Sequence, residues 1–246
     1  MHQSKFSPES FDNFYNSFFN YNVSLFQMIQ DIKGNTNNKD ILDLACGTGI
    51  STRALAKVFD KSNILGIDAD DKLIDYANMG FNPQNVKYTT LNALHIHKLD
   101  KKFDFIIAKS ALHLINEDYI FNDYMSVLKK NGTFYAIERT NVSVKSFPIF
   151  DDAKKIWEKQ YNQKRKLDCI AHYMNLKEYK IETFKFGQKV DIETQQYRQG
   201  IINKEMSCLW SFENQQILNW IENDLPHKDF VSVFEEYDII AITKLH

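Results

Sequence analysis

The stretch ILDLACGTGIS, residues 41–51, passes from an apolar run to two closely spaced glycines and then to a segment with helical spacing. The chain has only 8 glycines in 246 residues, yet Gly47 and Gly49 stand one residue apart here. Glycine lacks a Cβ, so it permits positive φ angles and lets a ligand approach the main chain. The pattern predicts a strand, a tight turn and a helix N-terminus, an arrangement that favours a bound anion or carboxylate.

Outward from this loop, short apolar runs alternate with segments of helical spacing as far as residue 138. The spacing predicts strands at 41–45, 63–68, 85–91, 103–109 and 132–138, with helices at 51–59, 71–78 and 117–130. This alternation is typical of a parallel, doubly wound α/β sheet with right-handed crossovers. Beyond residue 140 the pattern is mixed and predicts helices at 146–163, 168–178, 191–203 and 213–224 and strands at 179–187 and 236–245.

Composition narrows the class of protein. The net charge of −2 offers no general attraction for nucleic acid or an anionic membrane. The 3 cysteines are widely spaced and form no C-x-x-C pair, which disfavours a disulfide framework or a zinc site. No apolar run is long enough for a signal peptide or a membrane span. We therefore expect a cytoplasmic protein without a metal or a membrane partner.

Asp68 ends the second predicted strand and is a candidate ligand for the two hydroxyls of a ribose. The alternative role, capping the helix that follows, suits Asp70 at least as well. A nicotinamide-type fingerprint would need a third glycine where this chain has Thr52. A phosphate-binding P-loop is excluded because no G-x-x-x-x-G-K-[ST] motif occurs. The mismatch at Thr52 therefore weakens the nicotinamide interpretation without excluding it.

Four successive motifs, ILDLACGTGISTRALA, LGIDADDKLIDYA, LNALHIHKLDKKFDFIIAKSALHLI and VLKKNGTFYAIE, resemble those of class I S-adenosylmethionine-dependent methyltransferases. The resemblance implies a Rossmann-like, seven-stranded sheet of order 3-2-1-4-5-7-6, with an antiparallel seventh strand and a helical cap. It divides the chain into an N-terminal helical lid (1–39), a cofactor-binding core (40–140), a mixed cap and substrate region with strand six (141–235) and a final strand (236–246). It also implies S-adenosyl-L-methionine as the cofactor.

The resemblance further assigns roles to individual residues. The main chain of the loop, at Ala45, Cys46, Gly47 and Gly49, would border the methionine part of the cofactor. Asp43 would face its amino group, Tyr21 its carboxylate and Asp68 its ribose. Ala69, Asn92 and Ala93 would lie beside the adenine, and Lys109 and Ser110 beside the sulfonium. Asn92 stands where many members have aspartate, and its carbonyl oxygen still accepts a hydrogen bond.

The acceptor side is less defined by the sequence. His113 follows the fourth strand and is either a general base or substrate contact, or a histidine bonded to nearby backbone. Tyr15 in the lid and Arg198 and Trp210 in the cap are candidate substrate contacts, with helix packing and a surface ion pair as the alternatives.

The sequence thus predicts methyl transfer to a small-molecule acceptor by a monomer or homodimer. A methyltransferase acting on tRNA or protein is the alternative, because the basic stretch 154–166 carries interleaved aromatic residues. A non-catalytic cofactor-binding partner protein and another reaction on the same cofactor also stay open.

Overall fold

The computed structural model describes residues 7–34, 36–112, 115, 120–161, 177–225 and 227–246. In this part of the chain, seven strands form one sheet with the order β3-β2-β1-β4-β5-β7-β6. The strands are β1 (Asp40–Leu44), β2 (Asn63–Asp68), β3 (Val86–Thr90), β4 (Phe103–Lys109), β5 (Leu128–Arg139), β6 (Tyr179–Glu193) and β7 (Phe230–Lys244). β7 runs antiparallel to both neighbours, whereas β1 to β5 pair in parallel. The predicted sheet, its strand order and its antiparallel seventh strand are confirmed.

Helices cover both faces of the sheet and its carboxyl edge. They are α1 (Pro8–Tyr15), α2 (Phe19–Lys33), α3 (Ile50–Val58), α4 (Asp71–Met79), α5 (Ile120–Ser126), α6 (Asn141–Ser146), α7 (Asp151–Tyr161), α8 (Thr194–Ile202) and α9 (Asn214–Asn223). Short 3-10 turns lie at Asn16–Phe18, Ala93–Lys98 and Ser207–Leu209. Of the helix predicted at 168–178, residues 168–176 lie outside the described residues, and 177 and 178 form a turn.

Alternation along β1 separates the two apolar cores of the molecule. Ile41 belongs to the core shared with α2 and α3, whereas Leu42 and Leu44 belong to the core shared with α5. Burial of each such side chain contributes about 1.5–3 kcal/mol, so this strand anchors a layer on each face. Asp43 falls on the Ile41 face by the same alternation, and it is buried at the end of the strand where the glycine loop begins.

The fifth strand begins earlier than the sequence pattern indicates. α5 ends at Ser126 and β5 begins at Leu128, so the prediction of a helix through residue 130 is wrong. Leu128 is fully buried and pairs with Phe103, after which the register shifts. Asn131, with a φ of 60°, lies in this irregular stretch. The turn signal at Asn131 therefore marks a bulge within the strand and not the end of a helix.

The helix that the sequence predicts at 146–163 begins later than predicted, and Pro148 lies between it and the preceding α6. α6 ends at Ser146 and α7 begins at Asp151. A residue that precedes proline is disfavoured in helical conformation, and Phe147 has a φ of −69° and a ψ of 127°.

The last two strands are longer than predicted. β6 continues to Glu193, and β7 begins at Phe230, so residue 236 falls within β7. The two strands pair without interruption from Tyr179 opposite Lys244 to Glu193 opposite Phe230. Mutual pairing, which local periodicity does not report, thus extends both strands beyond the rest of the sheet.

A buried ion pair joins the end of β5 to β7. Arg139 Nε lies 2.8 Å from Glu235 Oε2, and the two side chains are 5% and 0% exposed. The hydroxyl of Ser143 in α6 donates to the same carboxylate at 3.2 Å. The Arg139 guanidinium also lies 5.1 Å from the centre of the Trp157 ring in α7. These contacts hold α6 and α7 over the carboxyl end of β5.

A second set of contacts, referred to below as the joint, connects α1 to the part of the cap around α8. The Phe14 ring packs on Gly200, where a Cβ would lie 2.6 Å from Phe14 Cε2. Ser10 Oγ donates to Glu205 Oε1, and the Tyr15 hydroxyl donates to the Glu205 carbonyl oxygen at 3.4 Å. Glu205 is 2% exposed, and this burial raises the pKa of its carboxyl to about 7. The joint therefore contains a carboxyl that favours its neutral form.

We predict that Glu205→Gln removes a pH-dependent part of the stability. A raised carboxyl pKa favours the folded state at low pH, and this contribution disappears as the pH rises through 7. Relative to wild type, the variant should gain about 2 kcal/mol in free energy of unfolding between pH 5 and pH 8. Urea unfolding at both pH values measures the difference, with the exposed Glu222→Gln as control. An equal difference at both values would contradict the assignment.

Candidate functional site

The glycine loop, residues 45–49, bends through positive φ angles at three positions. Ala45 has a φ of 57°, Gly47 of 56° and Gly49 of 84°. The Gly49 N–H donates to the Cys46 carbonyl at 3.0 Å, and the Arg53 N–H donates to the Gly49 carbonyl at 2.8 Å. The chain thereby reverses and starts α3 directly from Gly49. The result is a tight, largely buried turn of main chain at the carboxyl end of β1.

Tyr88 of β3 supports this loop from one side. A Cβ on Gly49 would lie 2.7 Å from Tyr88 Cζ, and a Cβ on Gly66 of β2 would lie 2.7 Å from Tyr88 Cδ1. The Tyr88 hydroxyl lies 3.4 Å from the Gly49 carbonyl oxygen. The Tyr88 ring therefore leaves no room for a side chain at either Gly49 or Gly66. Cys46 is also buried, which raises the pKa of its thiol, so it packs as a small apolar residue.

Asp43 fastens the first turn of α3 to the end of β1. One carboxylate oxygen accepts hydrogen bonds from Ser51 Oγ at 2.7 Å and Thr52 Oγ1 at 2.6 Å. Burial raises the pKa of this carboxyl to about 6, against the lowering effect of the two hydroxyls. Thr52 occupies the place of the third glycine in a dinucleotide fingerprint, and its hydroxyl explains the departure.

Asp68 connects the end of β2 to the glycine loop. Its Oδ2 accepts the Gly47 N–H at 2.9 Å, and its Oδ1 accepts the Asp70 N–H at 3.0 Å. Asp70 caps α4 by accepting the Lys72 N–H at 3.0 Å, so the capping role belongs to Asp70. Burial raises the pKa of the Asp68 carboxyl. Asp68 thus lies beside the loop, with Ala69 exposed next to it.

Asn92 follows β3 and begins the 3-10 turn Ala93–Lys98. Its side-chain oxygen accepts the Leu94 N–H at 2.9 Å. An amide oxygen has two lone pairs, so one acceptor position is already used by the turn. Ala93 is 9% exposed.

The carboxyl end of β4 adds a cation and a hydroxyl. Lys109 Nζ donates to the Tyr237 hydroxyl at 3.2 Å and lies 4.7 Å from the centre of that ring. Ser110 has a φ of 51°, and its Oγ is buried without a partner among the described residues. Glu138 Oε1 accepts the N–H groups of Ala111 and Leu112 at 3.2 Å and 3.0 Å, which fixes the turn after the strand.

The lid helix α1 lies over the loop. A Cβ on Gly47 would lie 3.5 Å from a ring carbon of Phe11. The Phe11 ring lies 4.4 Å from the Tyr15 ring, which continues the aromatic surface toward the cap. The loop is therefore enclosed by β-strand ends on one side and by α1 on the other.

Comparison with known proteins adds a family to this geometry. Residues 41–132 match the family model of the methyltransferase domain. The chain is 27% identical over 109 residues to a putative methyltransferase, 235L, of Invertebrate iridescent virus 6. It is 32% identical over 94 residues to the malonyl-[acyl-carrier protein] O-methyltransferase of Acetivibrio thermocellus. These matches cover 43% and 38% of this chain, and the chain spans only 40% and 33% of the relatives' lengths.

Solved structures match over nearly the whole chain. The plantazolicin methyltransferase BpumL, solved with a desmethyl-plantazolicin analogue and S-adenosylhomocysteine, has a TM-score of 0.58 at 14% identity. That match covers 94% of this chain and 86% of BpumL. A putative methyltransferase of Bacillus halodurans has a TM-score of 0.56 at 16% identity, with 89% and 98% covered. At such identities the structures establish the fold.

This chain thus contains a segment, residues 41–132, that is similar to a methyltransferase domain. Its glycine loop, Asp43 and Asp68 come together at the carboxyl ends of β1 and β2, next to Lys109 and Ser110 at the end of β4. The sequence placed these residues at adjacent strand ends, and the structure brings them to one edge. Their roles toward a cofactor stay predictions.

Three further candidate residues, Tyr21 of the lid and Arg198 and Trp210 of the cap, have these surroundings in the structure. The Tyr21 hydroxyl donates within the sheet region, 3.2 Å from the Phe186 carbonyl oxygen and 3.3 Å from that of Glu235. Trp210 Nε1 donates to the Lys204 carbonyl at 3.0 Å, and Arg198 is half-buried in α8. His113 lies outside the described residues.

Two absences apply to the described ranges only. Those residues contain no cluster of three or more histidine, cysteine, aspartate or glutamate side chains fit to hold a metal ion. No helix there has the length and apolar character needed to cross a membrane.

The sequence analysis missed Tyr88, Glu138 and Tyr237. Glu138 carried a signal, because a charged residue stood at the end of an apolar strand. Tyr88 and Tyr237 carried none, since aromatic residues are ordinary in strands.

We predict that Gly49→Ala is more destabilising than Gly47→Ala. Both positions have positive φ, which costs a non-glycine residue about 1–2 kcal/mol, and Ala45 shows that this loop accepts alanine at a φ of 57°. Only Gly49 also overlaps the Tyr88 ring, which adds about 1–3 kcal/mol. Urea unfolding measures both losses. Equal losses of unfolding free energy in the two variants would show that the Tyr88 ring moves aside without destabilising the protein.

Proposed function

We propose that this chain is an S-adenosylmethionine-dependent methyltransferase that modifies a small-molecule acceptor. The observation that carries the proposal is the pairing of a bare glycine loop with the Asp68 carboxylate, which accepts the Gly47 N–H at 2.9 Å. This pairing lies at adjacent parallel strand ends, where open α/β sheets bind ligands. The match of residues 41–132 to the methyltransferase domain supports the same cofactor.

The residues present fit such a cofactor by their donor and acceptor types. Each Asp68 carboxylate oxygen accepts one protein hydrogen bond and keeps further capacity for a ribose hydroxyl. The Asn92 oxygen keeps one acceptor position for an adenine amino group. Thr48 Oγ1 and Ser110 Oγ are buried and lack partners in the described part of the chain, so this edge has polar atoms that a ligand would satisfy.

When bound, S-adenosylmethionine supplies a methyl group that its positively charged sulfur already activates. The protein then has to orient the acceptor and exclude water. We assign orientation to the end of β4, where Glu138 holds the following turn through two backbone N–H groups. We assign water exclusion to α1, whose Phe11 covers Gly47. We propose that His113 takes a proton from any methyl acceptor that must lose one during the reaction.

Lys109 has a separate electrostatic part in this proposal. Tyr237 accepts its ammonium at 3.2 Å and offers a ring face at 4.7 Å. The positive charge also lowers the pKa of Asp43, although burial is the larger effect and raises it. Held by Tyr237, the ammonium lies toward β7, which is the acceptor side of the sheet in this proposal.

Enclosure of the loop favours a small acceptor over a macromolecule. The lid and cap meet through Phe14 and Gly200, and Tyr15 contacts Glu205 between them. Proposed acceptor contacts are Tyr15 in this enclosure and, within the cap, Arg198 and Trp210.

The basic stretch considered for RNA binding contributes little to a stacking surface in its described part, residues 154–161. Trp157 is 1% exposed and lies over Arg139. Lys155 pairs with Asp152 at 2.8 Å. An aromatic residue that is buried inside the cap is unavailable to stack on a base, so this helix supports the small-molecule proposal.

We predict that Asp68→Asn weakens the binding of S-adenosylhomocysteine about tenfold or more. The substitution keeps the side chain's size but replaces a charged acceptor of two hydroxyls with a weaker neutral one. Isothermal titration calorimetry measures the dissociation constant, and the neighbouring exposed Asp71→Asn is the matched control. Unchanged affinity in Asp68→Asn would remove the ribose assignment.

We predict turnover on a metabolite panel that includes hydroxyl, amine, thiol and carboxylate acceptors. S-adenosylhomocysteine release, followed by mass spectrometry, should depend on one small-molecule class and should fall in His113→Ala with cofactor affinity retained. Release only with total tRNA or a protein extract would favour a macromolecular acceptor. Cofactor binding without release in any mixture would favour the non-catalytic alternative.

A further inference from the structure

Helix α1 contacts the glycine loop with one side and the cap with another. Toward the loop, Phe11 covers Gly47, and Asp12 forms an ion pair with Arg53 of α3. Toward the cap, Phe14 packs on Gly200. Further hydrogen bonds to the cap come from Ser10 and Tyr15, both to Glu205. This short helix is therefore the element through which the cofactor loop and the cap meet.

Arg53 joins the loop to α1 through a forked guanidinium. Its Nη1 donates to the Thr48 carbonyl oxygen at 2.8 Å. Its Nη2 lies 2.9 Å from Asp12 Oδ1, and the two side chains are 19% and 18% exposed. The planar guanidinium is suited to two acceptors at fixed directions, which a lysine ammonium on a flexible stem does not reproduce. The two contacts therefore require the bent loop and the closed lid at the same time.

The main chain of Arg53 is held by the same loop. Its N–H donates to the Gly49 carbonyl at 2.8 Å, so the residue is bonded to the loop through both its backbone and its side chain. A movement of the loop shifts the guanidinium directly. Because the pair with Asp12 is largely shielded from water, its loss costs more than that of an exposed ion pair.

We propose that Arg53 is a positioning residue that couples the cofactor loop to the lid and, through α1, to the cap. The fork holds α1 closed while the loop keeps its bent form, which slows cofactor release and transmits cofactor occupancy to α8. This inference rests on the proposed function, because it takes S-adenosylmethionine or its product as the ligand of the loop.

The first test measures the release of S-adenosylhomocysteine from the full-length protein by stopped-flow displacement. Asp12→Asn and Arg53→Lys should each release the ligand about tenfold faster, since one charge-assisted hydrogen bond is lost. Association should change less than twofold, because an open lid does not obstruct entry. Asp12→Glu restores the charge and should return the release rate to within about threefold of wild type. Asp152→Asn breaks the exposed pair with Lys155 and serves as the control.

The second test measures amide hydrogen exchange of α1 and α8 with and without S-adenosylhomocysteine. In wild type, the ligand should slow exchange in both helices, whereas in Asp12→Asn it should slow exchange near the loop and leave α8 unchanged. A role confined to stability would instead speed exchange in α8 with and without ligand alike. The ligand-dependent difference is therefore specific to coupling.

The outcomes separate this inference from the proposed function. Failure of wild type to bind S-adenosylhomocysteine would overturn both. Binding by wild type with unchanged release in Asp12→Asn and Arg53→Lys would overturn the coupling alone. If Asp12→Asn lowers the melting temperature, Arg53→Lys with its smaller change decides, and wild-type release in that variant would equally refute the proposal.

Discussion

The bent loop after β1 is the constraint on which the site depends, and a buried carboxylate maintains it. Asp43 accepts Ser51 and Thr52 hydroxyls from the first turn of α3, so the strand end and the helix start cannot separate without leaving a buried acid unpartnered. Leaving such a group unsatisfied costs more than the hydrogen bonds gain. Tyr88 closes the other side, because its ring fills the space of a Cβ at Gly49. The loop is thus bare main chain toward the ligand and tightly packed behind.

A second buried charge organises the cap in a different way. Arg139 and Glu235 are both nearly inaccessible, and taking such a pair out of water is costly unless further contacts satisfy it. Here Ser143 donates to the carboxylate, and aromatic rings of α7 and β7 surround the guanidinium. Apolar packing alone would tolerate several positions for α6 and α7. The directional bonds of the ion pair favour one position, directly above the carboxyl end of β5.

The sequence predicted what local chemistry determines. Glycines at 47 and 49, an acid at the end of β2 and the alternation of strands and helices were sufficient for a parallel α/β sheet and for the loop, whereas the strand order was implied by the resemblance to class I methyltransferases. The same reasoning failed at β5 and at β6 with β7, where pairing between distant segments decides the boundaries. It also passed over Arg53 with Asp12 and Arg139 with Glu235, because each partner lies far away in the chain. The sequence also carried no sign of the hydrogen bonds from the Tyr21 hydroxyl to β6 and β7, and the contact of Tyr21 with the cofactor stays a prediction.

The hydrogen-bond partners of the carboxylates at the sheet edge indicate which part of the chain would bind the cofactor and which would select the acceptor. Asp43 and Glu138 accept groups of the protein itself, and Asp68 accepts two backbone N–H groups. These acids therefore shape the cofactor side and leave few side chains there to distinguish one acceptor from another. In the proposed function, discrimination between acceptors comes from α1 and the cap, where aromatic side chains lie near Glu205. The match to the methyltransferase domain covers residues 41–132, so the lid and the cap lie outside it. Under the proposed function, the matched core would bind the cofactor, and the lid and cap would determine the acceptor.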